Sequence, residues 1–343
     1  MKKHHNTLFV TTQGAYLAVE GETVVVRHEG MDKAQFPLHM LEGLVCFGQV
    51  SCSPFLLGRC AARGIGIAFL SERGRFLARV QGPVSGNVLL RRTQYRMADD
   101  PQGAARVARG VVLAKLANSR TVLMRAARDH SATPGAKRLR SAAAALAGAI
   151  DRLDGAPVLD TIRGVEGDAA RVYFDVFDDL IVAQKEGFTF SGRTRRPPRD
   201  NVNALLSFVY TLLTHDVVSA LEGVGLDPQV GFLHRDRPGR PGLALDLVEE
   251  FRAFMADRLV LSLINRRQIA PSRFVKGETG GVWMDDDTRK KVLIAYQERK
   301  QEEIRHPFLD ETTTVGMLWH LQAWLLARYL RGDLDAYPPF VWR

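Results

Sequence analysis

The sequence predicts an α+β multidomain chain, in which an N-terminal all-β, sandwich-like domain precedes a larger, mostly α-helical domain. Residues 1–80 contain short apolar runs rich in β-branched and aromatic residues, with glycines between and within them. This pattern is typical of strands joined by tight turns. From about Val88 the apolar residues recur with a helical period, and 343 residues are enough for two domains.

The boundary between the two domains is predicted at residues 81–88, where Gln81-Gly82-Pro83 ends the β pattern. This linker separates a β domain at 1–80 from a helical domain at 89–343. Within the first domain, the segment PFLLGRCAARG predicts a short helix that ends at Gly64.

Composition suits a protein with a polyanionic partner, and equally an ordinary basic enzyme. The formal net charge is +9. The N-terminal apolar run is too short for a signal-peptide core, and no stretch approaches the roughly 18 apolar residues of a membrane span. We therefore expect a cytoplasmic protein. Cys46, Cys52 and Cys60 form neither a disulfide framework nor a zinc pattern, and we expect them to be small buried side chains.

Glu166 is the first candidate for chemistry, in the segment RGVEGDAARVYFDVFDDLI at residues 163–181. It lies three residues before Ala169 and seven before Tyr173, and therefore on the packed face of a predicted helix. A carboxylate on a packed face is costly unless it is paired or coordinates a cation. The alternatives to a metal site are an ion pair with an arginine, or solvation at a frayed helix start.

A second group of candidates lies in VGFLHRDRPGRPGLALDLVEEFRAFMADRL, residues 230–259. A short apolar run ends in His234, and a helix is expected soon after it. Asp246 and Glu249 are three residues apart and so lie one turn from each other on that helix. A lone histidine, or a pair of acids on a helix, is more often structural than catalytic.

Together these residues are the ligand types of a hard divalent cation with one nitrogen donor. Carboxylates suit Mg²⁺ or Mn²⁺, and an imidazole favours Mn²⁺. Such an ion can polarise a phosphoryl oxygen and stabilise an attacking or leaving oxygen.

Basic loops flank the acids and predict a surface for phosphates, although basic loops also keep proteins soluble. The stretch SGRTRRPPRD precedes a helix that Asp200 or Asn201 can cap. The candidate DNA contacts are Arg195, Arg196, Arg235, Arg266, Arg267 and Lys276.

These strings resemble one family, the CRISPR-associated adaptation integrases in the form found with type I systems. RGVEGDAARVYF is similar to the family's Glu motif, in which a Glu flanked by glycines opens a helix. RPPRDNVNALLSFVYTLL resembles its Pro-Pro, Asn-x-x-Leu, Tyr-containing helix. GFLH followed by LALDLVEEFR resembles its His motif and its Asp-x-x-acid motif. The resemblance covers essentially the whole chain.

The resemblance implies roles for individual residues. Glu166, His234 and Glu249 match the family's metal ligands, and Asp246 matches an acid that the family needs for catalysis. Tyr210 matches, more loosely, a family tyrosine near the DNA. Whether Asp246, or the glutamate that follows Glu249, also binds the metal is open at the level of sequence.

The resemblance also implies the reaction and the assembly. The family inserts short DNA fragments, the spacers, into a CRISPR repeat array by transesterification, in which a substrate 3′-OH attacks a repeat phosphodiester. It forms homodimers through the β domain, and these flank a small ferredoxin-like partner subunit in a heterohexamer. We therefore expect a metal-dependent DNA endonuclease and integrase that uses Mg²⁺ or Mn²⁺. The alternatives are a metal-dependent nuclease on branched or damaged DNA without integration, and a non-enzymatic DNA-binding scaffold.

Overall fold

The computed structural model describes residues 6–342, except residues 73, 75, 81, 83–87, 156, 157 and 279. A β-rich region is followed by a mostly helical region, which confirms the predicted fold class. Gln81 and residues 83–87 of the predicted linker lie outside the described residues, so the exact domain boundaries stay a prediction.

Two four-stranded sheets form the β-rich region. The first has the order β1-β5-β7-β8, with β1, β5 and β7 parallel; the second has the order β4-β3-β2-β6 and is mostly antiparallel. The strands are β1 (Asn6–Val10), β2 (Tyr16–Glu20), β3 (Thr23–His28), β4 (Met31–Pro37), β5 (Leu41–Phe47), β6 (Ser51–Cys52), β7 (Gly66–Leu70) and β8 (Phe76–Val80).

The short helix predicted in this region is α1 (Pro54–Ala62). Its first turn is capped by Ser53, whose hydroxyl accepts a hydrogen bond from the backbone N–H of Leu56 at 3.1 Å. Gly64 follows the helix with φ of +68°, a left-handed conformation that favours glycine after a helix end.

Strand β5 connects the two hydrophobic cores of the molecule. Leu44 and Cys46 face the core inside the β-rich region, whereas Val45 and Phe47 face the helical core. Successive strand residues point to opposite faces, so a parallel strand covered on both sides must be apolar throughout. The ring of Phe47 lies 6.0 Å from that of Phe208, which places the first sheet directly on the helices.

The second region is built from helices of very different length. A π-helical segment, Arg252–Asp257, joins two of them. The helices are α2 (Val88–Asp99), α3 (Pro101–Asp129), α4 (Gly135–Asp154), α5 (Leu159–Asp175), α6 (Asn201–Gly223), α7 (Gly242–Phe251), α8 (Arg258–Asn265), α9 (Asp286–Gln301) and α10 (Leu318–Leu330).

Two small hairpins were not predicted by the sequence. They pair β9 (Phe274–Lys276) with β10 (Val282–Met284), and β11 (Glu303–Arg305) with β12 (Thr312–Thr314). Strands of three residues are too short to show an alternating pattern, so the sequence alone predicted a helical region there.

Helix α6 is more apolar than the sequence analysis suggested. It contains an 18-residue window with a mean hydropathy of 1.5, enough in length and composition to cross a membrane, and 61% of that window is buried inside the protein. The helix contributes Leu205, Val209 and Leu213 to the hydrophobic core. Core helices meet the same length and composition criteria, and these contacts identify α6 as one of them.

Candidate active site

Glu166 and Glu249 are brought together by a third helix. Helices α5 and α7, which carry the two acids, both pack against α3. From α3, Lys115 Nζ lies 2.8 Å from Glu249 Oε2 and makes a close contact with Glu166 Oε1. The two acids therefore share one ammonium group.

Glu249 is a buried, ionised carboxylate. Its side chain is 3% exposed, with Arg252 Nη2 at 3.1 Å and His234 Nε2 at 3.9 Å from Oε1. Burial alone would raise the pKa, but the positive charges of Arg252 and Lys115 outweigh it and lower the pKa to about 2. Oε2 makes no hydrogen bond of good geometry, and Lys115 Nζ, 2.8 Å away, contacts it as an ion pair.

Asp246 holds His234 in a defined orientation. The carboxylate accepts hydrogen bonds from the backbone N–H groups of Phe232 at 2.6 Å, Leu233 at 2.9 Å and His234 at 2.9 Å. His234 Nδ1 lies 2.6 Å from Asp246 Oδ1. Because a carboxylate accepts, Nδ1 carries the proton, and Nε2 is the nitrogen that faces Glu249. Asp246 thus acts through His234, as a carboxylate behind a metal-binding histidine does.

Glycines allow this close packing and leave space beside Glu166. A Cβ on Gly231 would lie 2.6 Å from the carbonyl carbon of Gly242 and 2.7 Å from Asp246 Oδ2, so a larger residue would separate the histidine segment from α7. A Cβ on Gly164 or Gly167 would meet nothing within 4 Å. Gly164 and Gly167, on either side of Glu166 in the sequence, therefore face open space.

Glu250 points away from this cluster. Its carboxylate accepts hydrogen bonds from Tyr337 Oη at 2.6 Å, the backbone N–H of Phe340 at 2.8 Å and Gln322 Nε2 at 3.1 Å. Burial raises its pKa to about 7, despite these hydrogen bonds. Of the two consecutive glutamates, only Glu249 belongs to the candidate site.

Tyr210 has its hydroxyl committed within the protein. It donates to Asp257 Oδ1 at 2.6 Å, and its ring lies 5.1 Å from the guanidinium of Arg193 and 5.0 Å from that of Arg252. Asp257 also accepts from Tyr173 Oη at 3.0 Å, and burial raises the pKa of Asp257 to about 6. A direct DNA contact by this residue stays a prediction.

The other predicted DNA contacts are exposed basic side chains. Arg235 forms an ion pair with Asp160 at 3.2 Å on the surface. Their role in DNA binding stays a prediction. The exposed residues are Arg195, Arg196, Arg235, Arg266, Arg267 and Lys276.

Sequence reasoning missed the two cations of the site. Lys115 interrupts a run of small and apolar residues in α3, VVLAKLAN, which is a weak signal of a buried charge with a partner. Arg252 follows Glu249 by three residues, the spacing of an ion pair on a helix. The signal at Lys115 does not identify which acids it would meet, whereas the spacing of Arg252 indicates Glu249.

The predicted ligands fit a divalent cation by chemical type, but Lys115 stands between two of them. Among the residues that the structure describes, no group of three His, Cys, Asp or Glu side chains is already arranged to hold a metal ion. The 3.9 Å between His234 Nε2 and Glu249 Oε1 is compatible with one ion, because ligands at about 2.1 Å from Mg²⁺ can be up to about 4.2 Å apart. An ion held by Glu166 as well must displace the ammonium group.

Comparisons with known proteins cover almost the whole chain. A family model described as CRISPR associated protein Cas1 matches residues 8–298. A CRISPR-associated endonuclease Cas1 of Chlorobaculum tepidum is 61% identical over 343 residues, and one of Rhodospirillum rubrum is 53% identical over 352 residues; each alignment covers 100% of both chains.

Solved structures share the fold. A Cas1 protein from Thermotoga maritima superposes with a TM-score of 0.82 at 24% identity, over 97% of this chain and 99% of the other. A casposase bound to its integration product superposes with a TM-score of 0.83 at 21% identity, over 97% and 93%. The β-rich region followed by the helical region is thus a fold shared with these proteins, and the relatives of 53% and 61% identity are CRISPR-associated endonucleases. The chain belongs to the Cas1 family, which confirms the resemblance seen in the sequence.

Proposed function

We propose that the chain inserts short DNA fragments into a CRISPR repeat array by transesterification, using Mg²⁺ or Mn²⁺ held by Glu166, His234 and Glu249. One observation carries the proposal: Glu166 and Glu249 meet around a single cation, Lys115, with His234 Nε2 3.9 Å from Glu249. The relatives named as endonucleases, and the fold shared with a casposase bound to its integration product, support it.

The residues of the site have separate tasks in this proposal. A divalent ion, when bound, supplies Lewis acidity toward the phosphodiester. Asp246 keeps the His234 ring in the tautomer that leaves Nε2 as the ligand atom. Arg252 keeps Glu249 ionised. The 3′-OH of the substrate DNA is the nucleophile, so the protein supplies position and charge.

We also propose the assembly that the resemblance implies, in the cytoplasm. In it, the β domain forms a homodimer, and a small ferredoxin-like subunit completes a heterohexamer with double-stranded DNA. A solved complex described as Cas6-RT-Cas1--Cas2 contains a chain of the same fold, with a TM-score of 0.83 over 99% of this chain and 36% of that one. Met31 and Phe55, which are 56% and 81% exposed, offer apolar contacts on the β-rich region.

A strand-transfer assay tests the proposal. A labelled fragment with free 3′ ends is incubated with a repeat-containing plasmid, the small partner subunit and Mn²⁺, and covalent joining is measured. We expect Glu166→Gln, His234→Ala and Glu249→Gln to abolish joining while the circular dichroism spectrum is retained. Asp168→Asn is the matched control, because this acid lies on the same helix as Glu166 with its side chain 68% exposed. Full joining by all three site variants would refute the assignment.

The same assay separates the two other functions. The names of the curated relatives favour a nuclease as the second candidate. Metal-dependent cutting of branched DNA without joined product would identify a nuclease that does not integrate. A DNA affinity that changes neither when the metal is removed nor when Glu166→Gln is introduced would identify a scaffold.

A further inference from the structure

Lys115 occupies the position that a cation held by both acids must take. It is on α3, between the helices that carry Glu166 and Glu249, and its side chain is only 12% exposed. Its Nζ contacts one carboxylate oxygen of each acid. The ammonium therefore holds in place two negative charges that would otherwise repel each other in a partly buried site.

The charges of the two acids, Glu166 and Glu249, are balanced by those of their two basic partners. Glu166 and Glu249 carry two negative charges, and Lys115 and Arg252 carry two positive charges within ion-pair distance. A divalent ion that takes the place of the Lys115 ammonium gives this group a net charge of about +1 by simple addition. A positive site is what an anionic phosphodiester requires, whereas the balanced cluster offers it little attraction.

Of the two cations, Lys115 is the one that a divalent ion can displace. Arg252 Nη2 lies 3.1 Å from Oε1 of Glu249, and its guanidinium is also held over the ring of Tyr210 at 5.0 Å. Lys115 bridges both acids through a single ammonium at the end of a flexible four-carbon chain. Rotation of that chain would free both carboxylates at once without moving a helix.

We propose that Lys115 is a built-in counter-ion that competes with the divalent cation for Glu166 and Glu249. It positions the two acids for the ion and is displaced when the ion binds, which converts a neutral cluster into a positive one. Lys115 is thus a positioning residue. The inference rests on the proposed function, because it assumes that a divalent ion binds these acids.

Chemical labelling of the unaltered protein tests displacement directly. The full chain is acetylated with an amine-reactive ester, with and without Mn²⁺, and the modification of each lysine is measured by mass spectrometry. Mn²⁺ binding is followed in the same samples by electron paramagnetic resonance. We expect Mn²⁺ to increase the labelling of Lys115 several-fold and to leave the exposed Lys290 unchanged.

The outcomes separate the inference from the function beneath it. Mn²⁺ binding with unchanged labelling of Lys115 overturns the inference alone. Absence of Mn²⁺ binding overturns the proposed function and the inference with it. Because the protein carries no substitution, misfolding of a variant does not affect this test.

A substitution distinguishes a Lys115 that competes with the divalent ion from one that only supports the two acids. We expect Lys115→Met to bind Mn²⁺ about tenfold more tightly at about pH 8, because the ion no longer displaces an ion pair. Lys115→Arg should stay near the unaltered protein, and Lys290→Met is the control for loss of a lysine elsewhere. Weaker Mn²⁺ binding by a folded Lys115→Met would show that the lysine only braces the acids, and would overturn the proposal.

Discussion

Glu249 and Glu250 are consecutive, identical and both buried, yet they belong to two different regions of the protein. Glu249 faces Lys115, Arg252 and His234, all cations or potential cations. Glu250 faces Tyr337 and other neutral donors near the C-terminal end of the described chain. The pKa of Glu249 falls to about 2, and that of Glu250 rises to about 7.

The comparison shows that burial does not by itself decide what a carboxylate does. Both side chains lose solvation, and this loss by itself would raise the pKa of each. The difference is the charge of the neighbours, some of which, such as Lys115 and Tyr337, lie far away in the chain. The charged neighbours keep Glu249 ready to bind a cation, whereas the neutral donors fix Glu250 as a structural acid.

The largest expected difference is in catalysis. Glu249→Gln should lower strand transfer by about a thousandfold, since a lost metal ligand removes roughly 4 kcal/mol of transition-state stabilisation. Glu250→Gln should retain activity within about twofold, because the amide keeps the shape of a group that faces away from the cluster. Joining of a labelled fragment measures both. Equal losses in the two variants would remove the distinction.

The two acids should also give opposite pH dependences of stability. Glu250, with its pKa raised from 4.5 to about 7, contributes stability that is complete below pH 4.5 and is lost as the pH rises through 7. Glu249, with its pKa lowered from 4.5 to about 2, contributes stability that is present above pH 4.5 and is lost as the pH falls through 2. Each effect is about 3 kcal/mol.

Unfolding midpoints across pH measure these contributions. Glu250→Gln should remove the loss of stability between pH 4.5 and 7, and Glu249→Gln should remove the loss below pH 4.5. Curves that stay parallel to that of the unaltered protein in both ranges would contradict the assigned pKa shifts.

A smaller effect on metal affinity is expected for Asp246, which orients His234. Asp246→Asn places an amide where Asp246 now accepts three backbone N–H groups and His234 Nδ1. We expect a 10- to 100-fold loss of Mn²⁺ affinity, as for other residues that orient a ligand histidine. Calorimetric titration measures it. Asp236→Asn is the matched control, because Asp236 is an exposed acid in the adjacent loop; an equal loss there would show that Asp246 has no special role.

Much of this arrangement could be predicted because it depends on local pattern. The change from strands to helices, the start of α7 and the cap of α6 by Asp200 all follow from spacing and residue type. The choice between Glu249 and Glu250 could not be predicted. It depends on whether Lys115 or Tyr337 lies opposite the carboxylate. Lys115 is more than a hundred positions from Glu249, and Tyr337 is nearly ninety positions from Glu250.

The π-helical segment could not be predicted from the sequence either. The sequence predicts a helix after His234 with no break in it, whereas residues Arg252–Asp257 form a π turn. Such turns insert residues into a helix and often occur at functional sites. Here the segment carries Asp257, to which Tyr210 donates. A period of 3.6 residues cannot reveal where that period is broken.

The smallest effect should come from the exposed arginines. The double variant Arg195→Ala with Arg196→Ala should reduce the slope of log affinity for DNA against log salt by about 1.8, if each contacts one phosphate. Fluorescence anisotropy with a fixed duplex measures the slope, and Arg331→Ala serves as a surface control. An unchanged slope would remove these two residues from the DNA surface. The buried cluster should respond little to salt.

Mn²⁺ binding by variants of the two consecutive glutamates most directly tests the claim that Glu249, and not Glu250, binds the metal ion. Titration of the unaltered chain, Glu249→Gln and Glu250→Gln, followed by electron paramagnetic resonance, gives the number of ions and the affinity. We predict one ion per chain at the site in the unaltered protein and in Glu250→Gln, and none there in Glu249→Gln. Binding that persists in Glu249→Gln and disappears in Glu250→Gln would contradict the account.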